Sequence, residues 1–302
     1  MYKLYGGAFL IALTVSCLSA TTKHAQHFAA LPLSVELGAY DNYHRLDDVT
    51  TISVEQIWPV SGWDQYKLGG LLVQLKAIGA KGRKPMVVIE PYPVEAIGNE
   101  STLLPDITAG RYDKLASAIA KEIASFGSPV FVRWGPEMEC LQWKPWSAKP
   151  AADYIAAYRR VATIFRHLSP NSILVWSPVG NIGCEAYYPG DDVVDYTGFS
   201  LYELPAASIT WVGHSRSFVE WMNEKYPRFV GFHKPTILTE VGIDDTPEKQ
   251  KAWMEAAFTS LPNYPTVKLI VYFNTQDLVS WQKWGGTGAP NWLIDPSVFT
   301  NK

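Results

Sequence analysis

Cysteine, histidine and charge are all scarce in this chain. Its 302 residues include three cysteines and six histidines, and 18% are charged, below the roughly 25% typical of globular domains. His44, His167, His214 and His233 show no pairing at metal-ligand spacing such as H-E-x-x-H, so no metal site is predicted. The formal net charge is −3 and no long basic run occurs. Nucleic acid is therefore not a predicted partner.

The signatures of three other enzyme classes are missing. The segment after the first candidate strand, Glu36–Asp41, holds one glycine, whereas a nucleotide-binding loop is glycine-rich. Ser177 and Ser200 lack the G-x-S-x-G surroundings of a serine hydrolase nucleophile. No lysine stands at an apolar strand end, where a Schiff-base enzyme would need one. These classes are not predicted.

Residues 1–20 predict an export signal. One lysine precedes an apolar run of about ten residues and then small residues, too short a run for a membrane span. Cleavage near Ala20 would give a secreted or periplasmic protein. Cys17 raises the alternative of a lipid anchor, although Leu13 lies one place too far upstream for a standard lipobox. Cys140 and Cys184 would then be the only thiols left, and in an oxidising compartment they are candidates for a disulfide.

Apolar runs alternate with amphipathic stretches after residue 32, and 47% of the chain is hydrophobic. A parallel strand buried on both faces forms a near-continuous apolar run. Eight such runs predict strands: Ser34–Ala39, Thr51–Ile57, Lys84–Glu90, Pro129–Trp134, Ser172–Trp176, Tyr196–Leu201, Pro235–Glu240 and Val267–Phe273.

Between the strands, helical spacing marks Tyr112–Phe126 and Ala151–Leu168, and Thr246 with Pro247 fits a helix start. Strand–helix alternation predicts an α/β chain with one domain over residues 33–300, a (β/α)8 TIM barrel. An open doubly wound sheet is the alternative. We expect a monomer.

Two glutamates stand at the ends of apolar strand runs. Glu137 follows the fourth candidate strand and Glu240 closes the seventh. In a barrel, the C-terminal strand ends converge on the face where catalysis occurs. One carboxyl group there can protonate a leaving oxygen while a second, about 5–5.5 Å away, attacks the anomeric carbon of a glycoside. Arg133 is placed to favour the ionised form of Glu240. The alternative is that both glutamates only cap or pair within the fold.

Aromatic residues are abundant, with 12 tryptophans among them. Many belong in any large core, but indole N–H groups need partners when buried. Several tryptophans fall in predicted loops after strands and are candidates for a sugar-stacking cleft: Trp134, Trp143, Trp146, Trp281, Trp284 and Trp292.

Several motifs together resemble the glycoside hydrolases of family 26, which include many β-mannanases. The run Arg133–Glu139 (RWGPEME) is similar to the family's R-x-x-H-E-M-N segment. The similarity continues, in the same order and spacing, through Trp143–Trp146, Tyr154–Arg160, Asn171–Pro178, Tyr188–Asp195, Lys234–Gly242 and Tyr272–Asn274.

The resemblance implies a retaining (β/α)8 glycosidase of clan A, acting inside a polysaccharide chain without a cofactor. It implies that Glu137 is the acid/base, that Glu240 is the nucleophile and that Tyr202 hydrogen-bonds the nucleophile. Further substrate-binding candidates are Arg133, Trp134, Trp143, Trp281, Glu90, Tyr92, Asn181 and Asn274.

Two residues depart from the family's pattern. Pro136 replaces the histidine before the acid/base, and Glu139 replaces an asparagine two residues after it. A nearby negative charge raises a carboxyl pKa, so Glu139 would act on Glu137. The substrate is therefore left open among mannan, β-glucan and bacterial exopolysaccharide. The alternative function is a catalytically weak barrel that binds polysaccharide during export or assembly.

Overall fold

Eight parallel strands close into a barrel in chain order. The structure is a computed structural model that describes residues 34–59, 70–92, 101–140, 144–278, 280–282 and 285–300. The strands are β1 (Glu36–Tyr40), β2 (Ile52–Ile57), β3 (Lys84–Ile89), β4 (Val130–Trp134), β5 (Ser172–Trp176), β6 (Tyr196–Glu203), β7 (Thr236–Ile243) and β8 (Val267–Phe273). The predicted barrel is confirmed. The predicted export signal, Cys17, Trp143 and Trp284 lie outside the described residues.

Helices connect the strands on the outside of the barrel. They are α1 (Gly70–Ala80), α2 (Leu103–Thr108), α3 (Asp113–Phe126), α4 (Ala151–Leu168), α5 (Pro205–Val212), α6 (Phe218–Lys225), α7 (Pro227–Val230) and α8 (Pro247–Ser260). The amphipathic pattern of α4 buries Tyr154, Tyr158 and Phe165, as expected for one apolar face. Helix α6 begins with a capping box in which Ser217 and Glu220 satisfy each other's backbone N–H groups.

Side-chain alternation divides β4 between two hydrophobic layers. Phe131 packs in the smaller cluster, whose members come from six strands and fill the barrel interior, whereas Val132 and Trp134 join the larger cluster under the helices. Successive strand residues point to opposite faces, so Arg133 points inward. Trp134 was predicted to face the substrate. Instead it is 4% exposed and packs against Tyr154 and Tyr158.

Strands β6 and β7 run two or three residues further than predicted. There they pair with each other through Leu201↔Val241, Tyr202↔Gly242 and Glu203↔Ile243, and Val241 also pairs with Tyr272 of β8. Glu240 was predicted to be the last residue of its strand, and Tyr202 was predicted to follow its strand. Both lie within paired strands instead, and the register of β7 shifts next to Glu240 against both β6 and β8, an irregularity of the kind found beside active sites.

Within the described ranges, none of the helices is both long and apolar enough to cross a membrane.

Candidate active site

A cleft of about 710 Å³ opens at the C-terminal end of the barrel, within the size range of pockets for small ligands. Glu137 and Glu240 both line it. Their neighbours along its wall include Tyr40, Trp58, Glu90, Pro136, Lys144, Asn181, Ser200, Tyr202, Trp211, Trp221, Lys225, Asp277 and Trp281. The two glutamates singled out from the sequence therefore share one cleft.

Glu240 is held by two donors on opposite carboxylate oxygens. Arg133 Nη1 donates to Oε1 at 2.9 Å, and the Tyr202 hydroxyl donates to Oε2 at 2.6 Å. Arg133 is completely buried and also donates to Gln56 Oε1 and Ser177 Oγ. A buried guanidinium needs a carboxylate partner, and Glu240 supplies it.

Glu137 lies on a sharply turned loop after β4. Gly135 and Glu137 both have positive φ, at 54° and 60°, a region that residues other than glycine seldom adopt. The Trp146 indole donates to the Pro136 carbonyl at 2.8 Å, and Glu137 N donates to Ser177 O at 2.9 Å. This turn directs the Glu137 side chain into the cleft. Backbone outliers of this kind cluster at functional sites.

Ser200 is next to both carboxylates, through its side chain at Glu137 and through strand pairing at Glu240. Ser200 Oγ donates to Glu137 Oε1 at 3.0 Å, and Ser200 is the register partner of Glu240 across β6 and β7. The Glu137 carboxyl thus reaches the strand neighbour of Glu240. This contact brings the acid on the β4 loop to the β7 side of the barrel mouth.

The electrostatic settings of the two carboxylates differ. Burial and then the charge of Glu240 raise the pKa of Glu137, Arg133 and Lys144 lower it, and the net pKa is about 7. Glu137 can therefore gain and lose a proton near neutral pH, whereas Glu240 is paired with a cation. Carboxyl groups separated in this way can divide acid and nucleophile roles between them.

Three of the predicted rim residues line the cleft. Glu90 forms an ion pair with Lys144, and Asn181 and Trp281 lie on the wall. The Trp281 ring also packs edge-on against Tyr202, with centroids 5.3 Å apart.

Two other predicted rim residues are not among the described side chains that line the cleft. Tyr92 stacks on the Trp146 ring. Asn274 is completely buried, where it donates to Asp41 Oδ1 and accepts from Ile294 N. Trp146 and Trp292 are also fully buried. These side chains support the rim rather than form it.

Glu139 is turned away from the cleft wall. Its Oε1 accepts backbone N–H bonds from Gly180 at 2.8 Å and Asn181 at 3.2 Å. Burial raises its pKa. Glu139 therefore fixes the loop after β5, and the largest effects on the pKa of Glu137 come from burial and from Glu240, Arg133, Lys144 and Ser200.

The structure has Cys140 and Cys184 as free thiols, so the predicted disulfide is not formed. Cys140 lines the cleft, whereas Cys184 is fully buried at the start of a short 3-10 segment. Burial raises the pKa of both thiols. In the described part of the chain, no group of three or more His, Cys, Asp or Glu side chains is arranged to hold a metal.

Sequence reasoning missed several polar or aromatic groups of the cleft, among them Ser200, Lys225, Lys144 and Trp211. Ser200 was considered only as a nucleophile, yet it stands two residues before Tyr202 and so shares its side of β6. Lys225 is buried with its ammonium group on the carbonyls of Val179 and Ser200. Burial lowers the pKa of Lys225 to about 8. Lys144 and Trp211 carried no signal, because only the folded loops bring them to the wall.

Fold and site together define an eight-stranded (β/α)8 barrel with a carboxylate pair in its C-terminal cleft. No protein-family profile matches the chain. Among curated proteins, it is 24% identical over 223 residues to Endoglucanase H of Acetivibrio thermocellus, covering 68% of this chain and 23% of that protein. It is 27% identical over 106 residues to the β-1,3-xylanase TXYA of a Vibrio species, covering 32% of this chain and 22% of that protein. The chain thus spans about a quarter of these relatives.

Solved structures share the fold along most of the chain. The Bacillus subtilis mannanase BCman has a TM-score of 0.61 at 17% identity, covering 90% of this chain and 84% of that one. A GH26 β-mannanase from Bacteroides ovatus has a TM-score of 0.56 at 18% identity, covering 88% and 85%. The protein GH26C from a Muricauda species reaches 0.62 at 16% identity, covering 80% and 79%. The fold expected from the resemblance to family 26 glycoside hydrolases is confirmed.

Proposed function

We propose that the protein is a retaining, endo-acting β-glycoside hydrolase that cleaves a β-linked polysaccharide. The observation that carries the proposal is one cleft holding a buried carboxyl group of raised pKa and a second one that is paired with an arginine. Glu137 has a pKa of about 7, and Glu240 is bonded to Arg133 and Tyr202. Retaining glycosidases use two carboxyl groups in these two states.

In the first step, the Glu240 carboxylate attacks the anomeric carbon while Glu137 gives its proton to the departing oxygen. A covalent glycosyl-enzyme forms on Glu240 and the leaving sugar departs as an alcohol. Arg133 and Tyr202 hold the attacking carboxylate in one orientation, so that little reorganisation is needed.

In the second step, Glu137, now ionised, takes a proton from water as the water attacks the anomeric carbon. The bond to Glu240 breaks, and Glu137 regains its proton. Its pKa near neutrality suits both halves of the cycle, because one group must act as acid and then as base. Ser200 Oγ holds the carboxyl group in place between the steps.

The substrate class follows from the relatives and from the cleft. The relatives are named as mannanases, an endoglucanase and β-1,3-xylanases, so the panel to test is β-mannan, β-glucan, β-1,3-xylan and bacterial exopolysaccharide. A polymeric substrate fits the predicted export segment, because polysaccharides of this kind are met outside the cytoplasm. We therefore include secretion or a periplasmic location in the proposal.

The test compares Glu137→Ala and Glu240→Ala with the wild-type chain. Release of reducing sugar from a responsive polysaccharide should be abolished in both variants. With an activated aryl β-glycoside and added azide, Glu137→Ala should form the β-glycosyl azide, because azide attacks the glycosyl-enzyme. Glu240→Ala should form the α-glycosyl azide, because azide replaces the missing nucleophile.

Glu139→Ala is a matched control, since this glutamate lies nearby in sequence but outside the cleft wall. It should form no glycosyl azide. Full activity in Glu240→Ala would overturn the proposal. Binding of polysaccharide by the wild-type chain with no turnover across the panel would favour the alternative, a barrel that binds polysaccharide for export or assembly.

A further inference from the structure

We infer that Trp211, on helix α5 at the rim of the cleft, is a stacking platform for a neutral sugar ring of the bound chain. This inference rests on the proposed function, because the ring belongs to the polysaccharide held across Glu137 and Glu240. It adds a binding position that the family motifs in the sequence did not indicate.

Trp211 combines exposure with a place on the cleft wall. Its side chain lines the cleft together with Leu204, Ala207 and Ser208, and the residue is 58% exposed. An exposed large aromatic ring on a concave surface is typical of a ligand-binding site. The ring therefore offers apolar area at a point continuous with the reacting carboxylates.

A glycine supports the ring from one side. A Cβ atom added at Gly285 would lie 3.0 Å from the Trp211 ring, and Gly285 has a φ of +81°. Only glycine adopts that backbone conformation without strain and allows so close an approach. The indole is thus backed by main chain while its exposed area remains open to the cleft.

A buried carboxylate anchors the helix that carries Trp211. Glu203 is completely buried at the end of β6. Its Oε2 accepts from Ser208 Oγ of α5 at 2.9 Å and from the Trp221 indole at 2.8 Å. Its Oε1 accepts from Ser215 Oγ and Arg216 N. Four donors on one carboxylate hold α5 against α6, so the platform sits on a preorganised element.

Trp221 shows why Trp211 is the available ring. Both tryptophans line the cleft, but the Arg216 guanidinium lies 3.9 Å from the centre of the Trp221 ring. That face of Trp221 is occupied by a cation–π contact, and its N–H is used by Glu203. Trp211 keeps its area for a ligand whose face is apolar, such as the C–H face of a pyranose.

The test measures how the effect of Trp211→Ala depends on substrate length. We expect kcat/KM on the responsive polysaccharide to fall between about two- and twelvefold, the range for losing one aromatic contact. The loss should fall mainly on KM and be smaller on an aryl β-disaccharide, which is too short to fill the cleft. Equal losses on both substrates, or no loss on either, would overturn the inference.

Two further variants separate binding from folding. Val73→Ala removes exposed apolar area on α1, outside the cleft, and should change neither substrate. Gly285→Ala should displace the indole and reproduce part of the Trp211→Ala loss. In a Trp211→Ala background the same glycine change should add no further length-dependent loss. A full additional loss there would show that the contact between Gly285 and the ring does not position a sugar.

Binding can be followed apart from catalysis. Full-length wild type and Trp211→Ala are run in native gels containing galactomannan, glucomannan, β-1,3-xylan or mixed-linkage β-glucan. The variant should be retarded less in the gel that retards the wild type. Equal retardation of the two proteins would contradict the role of Trp211 as a stacking platform, even if the chain is a hydrolase. Weaker binding by Trp211→Ala together with full activity of Glu240→Ala would instead contradict only the assignment of Glu240 as the nucleophile.

Discussion

The two carboxylates of the cleft are presented by different kinds of backbone. Glu240 lies inside β7, in a ladder that continues to Ile243. Glu137 lies on a loop after β4 with a φ of +60°. The strand gives the proposed nucleophile a fixed orientation. The turned loop carries the proposed acid, whose proton must come and go.

The hydrogen-bond donors that contact Glu240 and Glu137 also differ in number and charge. Glu240 has a buried arginine and a tyrosine as donors, whereas Glu137 has a single hydroxyl from Ser200. Burial is the largest of the effects that raise the pKa of Glu137 to about 7, while Glu240 forms an ion pair with the guanidinium. One cleft can give two carboxyl groups different roles because the charges beneath it are unevenly distributed.

Removal of the buried cation should break this difference most severely. Arg133→Met leaves Glu240 buried without its partner, and the free energy of unfolding should fall by about 3–5 kcal/mol. Thermal and urea unfolding measure the change. Arg111→Met, which breaks a surface pair with Asp106, should cost no more than about 1 kcal/mol. Equal losses in the two variants would contradict the proposed role of Arg133.

Neutral isosteres at the two glutamates should change stability in opposite directions at pH 8. The folded-state pKa of Glu137 lies above its ordinary value of 4.5. The contribution of this group to the free energy of unfolding is therefore complete below pH 4.5 and is lost as the pH rises through about 7. Glu137→Gln should therefore stabilise the protein by about 1–3 kcal/mol at pH 8 and hardly at pH 4. Glu240→Gln should destabilise it at pH 8. Unfolding curves measured at pH 4 and pH 8 test this prediction. A stability change of the same sign in the two variants at pH 8 would contradict it.

Loss of the tyrosine donor should have an intermediate effect. Tyr202→Phe removes the 2.6 Å bond to Glu240 Oε2 and keeps the ring. A hydrogen bond to a charged group contributes about 1.5–3 kcal/mol, so kcat/KM should fall by between about 10- and 150-fold. Tyr43→Phe, at an exposed ring outside the cleft wall, is the control and should keep full rate. An unchanged rate in Tyr202→Phe would show that Arg133 alone orients Glu240.

The smallest expected effect concerns the hydroxyl on Glu137. The rate should decline above a pH of about 7, because the general acid loses its proton there. Ser200 lowers the pKa of Glu137, so Ser200→Ala should move this limb upward by about half a pH unit. Ser125→Ala, on the outer surface of α3, should leave the profile unchanged. A downward movement in Ser200→Ala would contradict the assignment of the limb to Glu137.

Local pattern was enough to predict much of the fold. All eight predicted strands occur within three residues of their expected bounds, and helix α4 matches its prediction at both ends. Such patterns are local, since apolar runs and helical spacing are read over five to twenty neighbours. The extension of β6 and β7 was missed because pairing beyond the rim depends on the partner strand.

Side-chain direction at the rim was predicted less well. Trp134 adjoins the loop that carries Glu137 but faces the helices, because it follows the inward-facing Arg133 by one residue. Glu139 was expected to act on Glu137, yet it accepts two backbone N–H groups of the next loop. In both cases the decisive partner lies far away in the chain, on α4 or after β5.

The amino-acid sequence alone determined the barrel and the two candidate glutamates, because strand order and apolar periodicity depend on neighbouring residues. Tertiary structure alone decided the raised pKa of Glu137, the cation beneath Glu240 and the exposed ring of Trp211. Those properties arise from burial and from charges on other strands, which exist only once the barrel closes.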